Sequence, residues 1–275
     1  MGRMETEARD EVGFLPIGQS AKRLETSQVA FELGCMSGGS VKIPFSAYDF
    51  FGYLATGFLM LAAVDYALKA GWVLNQSFGL IASLIWLLMA YVIGHIVAHI
   101  SSHLLESKLL RGILRSPEEH LFGQPMSKGW ARLFPGLHTP LPKTTQERVL
   151  RRAKKEGVPA PGEGFFLHCH PLANRDPATQ ERLSSFLNLY GFCRNLTMGC
   201  LLAVPVLLYG AFRDAHWPAM EGLDRGRLFW ALALLGASAG MFYRYLKFFR
   251  HYTVEVFVAY AELPSESSKA ASAAL

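Results

Sequence analysis

His95, His99, His103 and Glu106 recur at four- and three-residue spacing within the segment GHIVAHISSHLLE. At about 100° per residue on an α-helix, these four side chains fall within one arc of about 80° and face a common neighbour. Imidazoles at i and i+4 can reach one transition-metal ion from adjacent turns, and a carboxylate beside them adds a hard ligand or orients a ring. A second spot, FFLHCHP, reads as a short strand or extended segment that sets His168 and His170 on one face and Cys169 on the other. Folded back beneath a helix bundle, His168 and His170 would complete a zinc or iron site begun by His99 and His103. The baseline reading is plainer: a polar helix face that meets headgroups, water or the protein's own polar domain, with no cofactor expected. Neither GxGxxG nor a P-loop lysine is present, and HExxH does not occur. That removes the commonest motif-borne nucleotide and metalloprotease assignments.

The elements that must position these groups are apolar. A hydrocarbon core of about 30 Å needs roughly 20 mostly apolar residues to span it. Residues 50–68, 78–97, 196–212 and 228–243 supply four such stretches in a chain of 275 residues that is 51% hydrophobic and 18% charged. The expected fold class is an all-α membrane protein with four transmembrane helices and a mainly helical cytoplasmic insertion between the second and third spans. Residues 1–43 read as a disordered or peripheral segment without a signal-peptide core. Residues 44–103 form a first transmembrane hairpin, 104–187 the insertion, 188–262 a second hairpin with a cytoplasmic helix extension, and 263–275 a disordered tail.

Of 27 Lys and Arg, 14 lie between Ser101 and Asn195, 5 precede the first span and 4 follow the fourth. Because basic loops stay in the cytoplasm, both termini and the insertion are expected inside, in a bacterial inner membrane. Trp72, Trp217 and Trp230 would then mark the outer interface, and Tyr48, Tyr190 and Tyr243 the inner one. Cys35, Cys169, Cys193 and Cys200 show no paired CxxC spacing, and on the cytoplasmic side or in the membrane they are not expected to form a disulfide.

This topology brings the inner ends of all four spans to one depth. Asp49, Tyr53, His95, Arg194, Asn195 and Arg244 thereby become a polar cluster at the inner membrane boundary, serving either as helix-positioning ion pairs or as an anion or headgroup site. Gly52 with Thr56, and Gly236 with Gly240, are small faces that allow close helix contact within the chain or between copies. Pro205 is expected to kink the third span. Within the insertion, Thr144 to Glu147 resembles a capping sequence that opens a basic helix through Lys155, stopped by Gly157. Asp176-Pro177 reads as an N-cap and first turn of a helix continuing into the third span, and residues 243–263 as an unbroken extension of the fourth. The basic run 147–155 fits a solvated helix or anionic lipid better than nucleic acid, since it lacks interleaved aromatics.

A histidine-bearing second span, a cytoplasmic insertion and two further spans superficially resemble the membrane fatty-acid desaturase and hydroxylase family. That family uses several histidine boxes, including adjacent His-His pairs. This chain carries one HxxxHxxxH, one HCH and no adjacent pair among its 9 histidines, so the resemblance covers one motif and does not supply a di-iron ligand set. The leading functional expectation is non-enzymatic: a sensor, effector or pore-forming subunit controlled through its cytoplasmic region, in the layout of a bacterial stress or phage-defence effector. Membrane lipid, a cytoplasmic protein partner and further copies of the chain are the expected partners. A metal-dependent enzyme acting on a lipid or apolar substrate, and a small ion or solute transporter with its path past Asp49 and His95, are the alternatives.

Overall fold

Residues 47–73, 79–114, 120–123, 129, 132, 134, 136, 139–216 and 221–263 are described in a computed structural model of the chain. The composition-based readings of residues 1–43 and of the tail beyond 263 lie outside them, as do Cys35, Trp217 and the side chains of Tyr48 and Asp49. Among the described residues, all regular structure is helical apart from one isolated bridge between His216 and Glu221.

Helix α1 spans Ala47–Leu68 and α2 spans Leu80–Ser101, and α2 runs on as a wider π-wound segment, Ser102–Leu114. Two shorter helices follow, α3 at Lys143–Lys155 and α4 at Glu163–Ala173. Helices α5, Pro177–Phe212, and α6, Arg225–Glu262, are long and unbroken, α5 passing straight through Pro205 in its helical assignment. Their starts have local causes. The Asp176 carboxylate accepts from Thr179 N at 2.9 Å with Pro177 in the first turn, and the Asp224 carboxylate accepts from Arg227 N at 3.1 Å. Helix α3 starts after Pro142 without a side-chain cap, and ends in a Schellman turn. Gly157 takes φ +69°, Val158 N donates to Ala153 O at 3.0 Å and Gly157 N to Lys154 O at 3.3 Å.

Among the described residues, three helices are long and apolar enough to cross a membrane: Phe50–Leu68, Leu80–Leu110 and Pro177–Phe212. Helix α6 does not reach that standard, because Gly236, Ser238 and Gly240 dilute its apolar half and Arg244 follows Tyr243. The side of α2 facing away from the protein is a row of large apolar residues, with Leu80 78% and Ile81 76% exposed and Leu84, Ile85 and Leu88 beside them. In water each Å² of that surface would cost about 25 cal/mol, so the pattern is the reverse of a water-soluble helix.

Inward, the helices meet on small residues. A Cβ at Gly57 would collide with the Ala90 carbonyl, one at Gly94 with the Tyr53 carbonyl, and one at Gly210 would lie 2.8 Å from Ala67 O. Ala63, Ala67, Ala203, Leu207 and Ala231 form the core at one end of the bundle. At the other end a separate core joins α3, α4 and the far ends of α5 and α6, through Val149, Ala153, Phe165, Cys169, Leu183, Phe257 and Tyr260. We call this second body the cap.

Four readings of the sequence change. Residues 165–170 are helical within α4 and not extended, so His168 and His170, two positions apart, point about 200° away from each other and share no face. The winding of the second helix switches from α to π at Ser102, which breaks the single arc of His95, His99, His103 and Glu106. Tyr190 is buried against Tyr245 and does not sit in an interfacial belt, because its ring closes the contact between α5 and α6. Gly236 and Gly240 meet nothing within 4 Å, so this face makes no close helix contact within the described chain. The bundle's tight contacts are at Gly57, Gly94, Gly199 and Gly210 instead.

These contacts set an expectation for substitution. Gly57→Ala or Gly94→Ala forces two backbones apart and should lower unfolding stability in detergent by about 1–3 kcal/mol or more. Gly236→Ala and Gly240→Ala should leave it unchanged or raise it by up to about 1 kcal/mol through helix propensity. Equal losses at all four positions would refute this packing scheme.

Candidate functional site

Helix α5 carries Arg194 and Asn195 to the junction of α2 with its π-wound continuation. There the Arg194 Nη1 donates to Glu106 Oε2 at 2.8 Å, with side-chain exposures of only 16% and 28%. Ser102 Oγ reaches the same Glu106 oxygen at 3.4 Å. Ser101 Oγ, fully buried, lies 3.0 Å from Asn195 Oδ1 and 2.9 Å from Ala98 O, while Arg194 Nε lies 3.4 Å from Asn195 Oδ1. The guanidinium also sits 5.7 Å over the Tyr190 ring, and the Tyr190 hydroxyl is 3.5 Å from that of Tyr245 on α6. The ion pair therefore ties α5 to the continuation of α2, and the Tyr190–Tyr245 contact joins α6 at the same level.

Of the six residues expected to form one inner-end cluster, the side chain of Asp49 lies outside the described residues and the other five separate into groups. Arg194 and Asn195 belong to the network just described. Tyr53 and His95 form another pair, their rings stacked at 4.1 Å with Tyr91 edge-on to His95 at 4.5 Å. Arg244 lies 5.5 Å over the Phe248 ring on its own helix. Gly52 and Thr56 face α5: a Cβ at Gly52 would touch Phe192 at 3.4 Å, and the Thr56 methyl fills the space left by Gly199. Thr56 Oγ1 donates back to Gly52 O at 2.8 Å, so this small face is fully used inside the chain.

The histidines are dispersed as well. His95, His99 and His103 are exposed, while Glu106 turns inward to Arg194. His168 Nε2 is 2.9 Å from Glu156 Oε2. His170 Nε2 faces two groups that can donate, the Tyr252 hydroxyl at 2.8 Å and Asn174 Nδ2 at 3.2 Å, which makes it the acceptor. Burial pushes His170 below the ordinary histidine range and lifts the Tyr252 phenol to about 12, which keeps both neutral. Burial, with the Glu156 charge adding to it, lifts the Cys169 thiol to about 12, too high for a thiolate ligand at neutral pH. Among the described residues, no group of three or more His, Cys, Asp or Glu comes together to hold a metal ion.

Two further polar nodes escape a reading of the sequence. In the cap, Glu156 accepts from Tyr260 at 2.7 Å and Arg152 Nε at 2.9 Å in addition to His168, and Arg152 lies 4.8 Å over the Tyr260 ring. Arg152 Nη1 also reaches Leu263 O. Burial works against ionisation of Glu156, but the hydrogen bonds from His168, Tyr260 and Arg152 outweigh it and hold the carboxyl below its ordinary value. At the opposite end of the bundle, Arg227 is 1% exposed. Its Nε donates to Tyr66 O at 3.0 Å and its Nη1 to Gly210 O at 2.8 Å, with Asp224 Oδ2 at 3.3 Å. Nearby, Asp65 accepts from Trp72 N at 2.8 Å and Val73 N at 3.0 Å, closing the turn after α1. The available signals were the Asp224 cap just before Arg227 and the acidic Asp65 inside an otherwise apolar helix.

Comparison with protein-family models, with curated proteins and with solved structures finds no significant match to the chain. The function must be read from the geometry alone.

Two outcomes follow from these nodes. Arg194→Leu leaves Glu106 partly buried and unpaired and should cost about 1–3 kcal/mol in detergent unfolding, part of it recovered in the Arg194→Leu, Glu106→Leu double variant. Additive losses would show the pair to be uncoupled. For Glu156, a depressed carboxyl stabilises the fold above its ordinary value of 4.5 and loses that contribution as pH falls through the depressed value. The thermal midpoint should therefore drop below pH 4.5, and Glu156→Gln should flatten that limb of the profile. An unchanged limb would remove Glu156 as its source.

Proposed function

We propose that the protein is a four-span membrane sensor or effector subunit whose cytoplasmic cap biases the packing of its membrane helices. The observation that carries this reading is the continuity of α5 and α6. Each helix belongs to both cores: α5 supplies Leu183 to the cap and Ala203 and Leu207 to the bundle, while α6 supplies Ala231 to the bundle and Phe257 and Tyr260 to the cap. A helix rises about 1.5 Å per residue and is stiff over such lengths, so a displacement at Phe257 reaches Ala231 some 40 Å away without a joint.

The reading takes α6 as the fourth span. Its residues Phe229, Trp230, Leu232 and Leu235 are exposed as the lipid-facing residues of α2 are, and it lies alongside α5 over the bundle. The basic weight of residues 101–195 supports a cytoplasmic cap and cytoplasmic termini in a bacterial inner membrane. The open Gly236 and Gly240 face offers a contact for a second copy, and the exposed cap offers a surface to a protein partner. Among the described residues no three His, Cys, Asp or Glu come together, so the metal-dependent alternative has no ligand set behind it there.

Spin labels at exposed Leu88 on α2 and Leu232 on α6, read by distance measurement in nanodiscs, test the coupling. Phe257→Ala should open the cap core at a cost of about 3–5 kcal/mol and shift or broaden the Leu88–Leu232 distance distribution. An unchanged distribution, with the cap opening confirmed by hydrogen exchange in α3 and α4, would sink the proposal.

A further inference from the structure

Between the bundle and the cap, α6 turns one face to the segment containing Phe134 and Gly136. Tyr243, Lys247, Arg250 and His251 lie at i, i+4, i+7 and i+8, so one helical stripe carries all four. With Phe134, Gly136 and Leu246 they line a cleft of about 140 Å³. That is room for a group the size of a few water molecules, each about 30 Å³ in the liquid, and far too little for a nucleotide or a drug-sized ligand. Gly136 keeps the mouth open, since among the described residues the Tyr243 hydroxyl at 3.8 Å is what its missing Cβ would approach.

Among the described residues no carboxylate pairs with Lys247, Arg250 or His251, and the nearest acid along the helix, Glu255, is held by Arg182 at 2.7 Å. Among the described residues Arg250 is anchored by one nitrogen, Nη2 donating to Thr139 O at 2.8 Å, and its buried Nε has no hydrogen-bond partner. A buried guanidinium donor without an acceptor costs free energy that an incoming oxyanion would recover. Burial, reinforced by the positive field of Lys247 and Arg250, pushes His251 below the ordinary histidine range, as a locally cationic site requires.

We infer that this cleft is a phosphate-binding site, with Lys247 and Arg250 as the charged donors and the Tyr243 hydroxyl at its rim. The ligand is a phosphate group standing in the open, either the phosphodiester of an anionic lipid headgroup or free inorganic phosphate. Given the four-span reading, on which the choice of lipid rests, the cleft begins at Tyr243 and ends roughly 12 Å further along α6, the depth of headgroups. Occupancy would clamp the segment at Thr139 to α6 where bundle and cap meet.

Detergent-solubilised full-length protein, titrated with phosphatidylglycerol, phosphatidylcholine or inorganic phosphate and read by native mass spectrometry and thermal midpoint, tests the site. Phosphatidylglycerol should be retained about fivefold over phosphatidylcholine, and Lys247→Gln and Arg250→Gln should each reduce that retention by a similar factor. The triple variant Arg148→Gln, Arg151→Gln, Lys154→Gln, on the exposed basic face of α3, should leave it unchanged. Inorganic phosphate that raises the midpoint in a Lys247-dependent way, without lipid preference, would identify free phosphate as the source and uphold the site. Lys247 is exposed and, among the described residues, makes no ion pair, so its variant decides the matter should Arg250→Gln fail to fold. Equal retention of both lipids with no phosphate effect, or a loss in the α3 variant as large as in Lys247→Gln, would overturn the site while leaving the cap-to-bundle coupling untouched.

Discussion

Helices α5 and α6 lie against each other along most of their length, and every other element is placed by that contact. Their pairing is made of different chemistry at each level. Small side chains, Ala203 and Ala231 among them, serve one end. Ser238 Oγ donates to Thr197 O at 3.0 Å in the middle, the Tyr190 and Tyr245 rings lie 4.8 Å apart beyond it, and Leu183 and Phe257 share the cap core. The first hairpin then adds to α5 through backbone-close contacts at Gly199 and Gly210, and the cap helices add to the far ends. A two-helix spine of this kind shifts as a unit, which is why the functional proposal concerns coupling between its ends.

Polar groups inside such a structure are placed where they fix register. Arg227, Arg194 and Glu156 sit at three successive levels, each joining residues from separate helices. In poorly solvated surroundings a mispaired charge costs several kcal/mol, so a slip of one turn between helices would be penalised at all three levels. Packing alone would not give that discrimination, because the apolar residues around them are similar at successive turns. The Lys247 and Arg250 cleft stands apart from this logic, since among the described residues no carboxylate pairs with its charges.

Much of the architecture was legible along the chain. The apolar segments that became α1, α2 and α5 stand out from composition. The Asp176-Pro177 start, the Gly157 stop and the unbroken run from Tyr243 follow from capping and from the absence of helix breakers. Arg194, Asn195 and Glu106 were recognisable as polar groups near helix ends, although assigned to different sets. The faces expected to carry the histidines change for two local reasons. A π-wound stretch after Ser101 spoiled the 100° arithmetic, and FFLHCHP had enough apolar and aromatic character to pass for a strand until α4 packed it on α6. The Gly236 and Gly240 pair fits the small-xxx-small pattern as well as any in the chain, yet the tight approaches are at isolated glycines opposite backbone carbonyls.

By itself the sequence determined the properties that depend on near neighbours: which stretches are apolar enough to cross a membrane, where helices α3, α5 and α6 begin or end, and that charge gathers between the second and third apolar segments. These rest on side-chain transfer energies and on hydrogen bonds spanning a few residues, and both are readable without a fold. The tertiary structure alone decided which partners meet. That Arg194 takes Glu106, that Arg227 is buried against Tyr66 and Gly210, and that Lys247 and Arg250 face an open cleft depends on helix rotation and register. Those are set by close packing across scores of residues, where one turn of difference exchanges every partner.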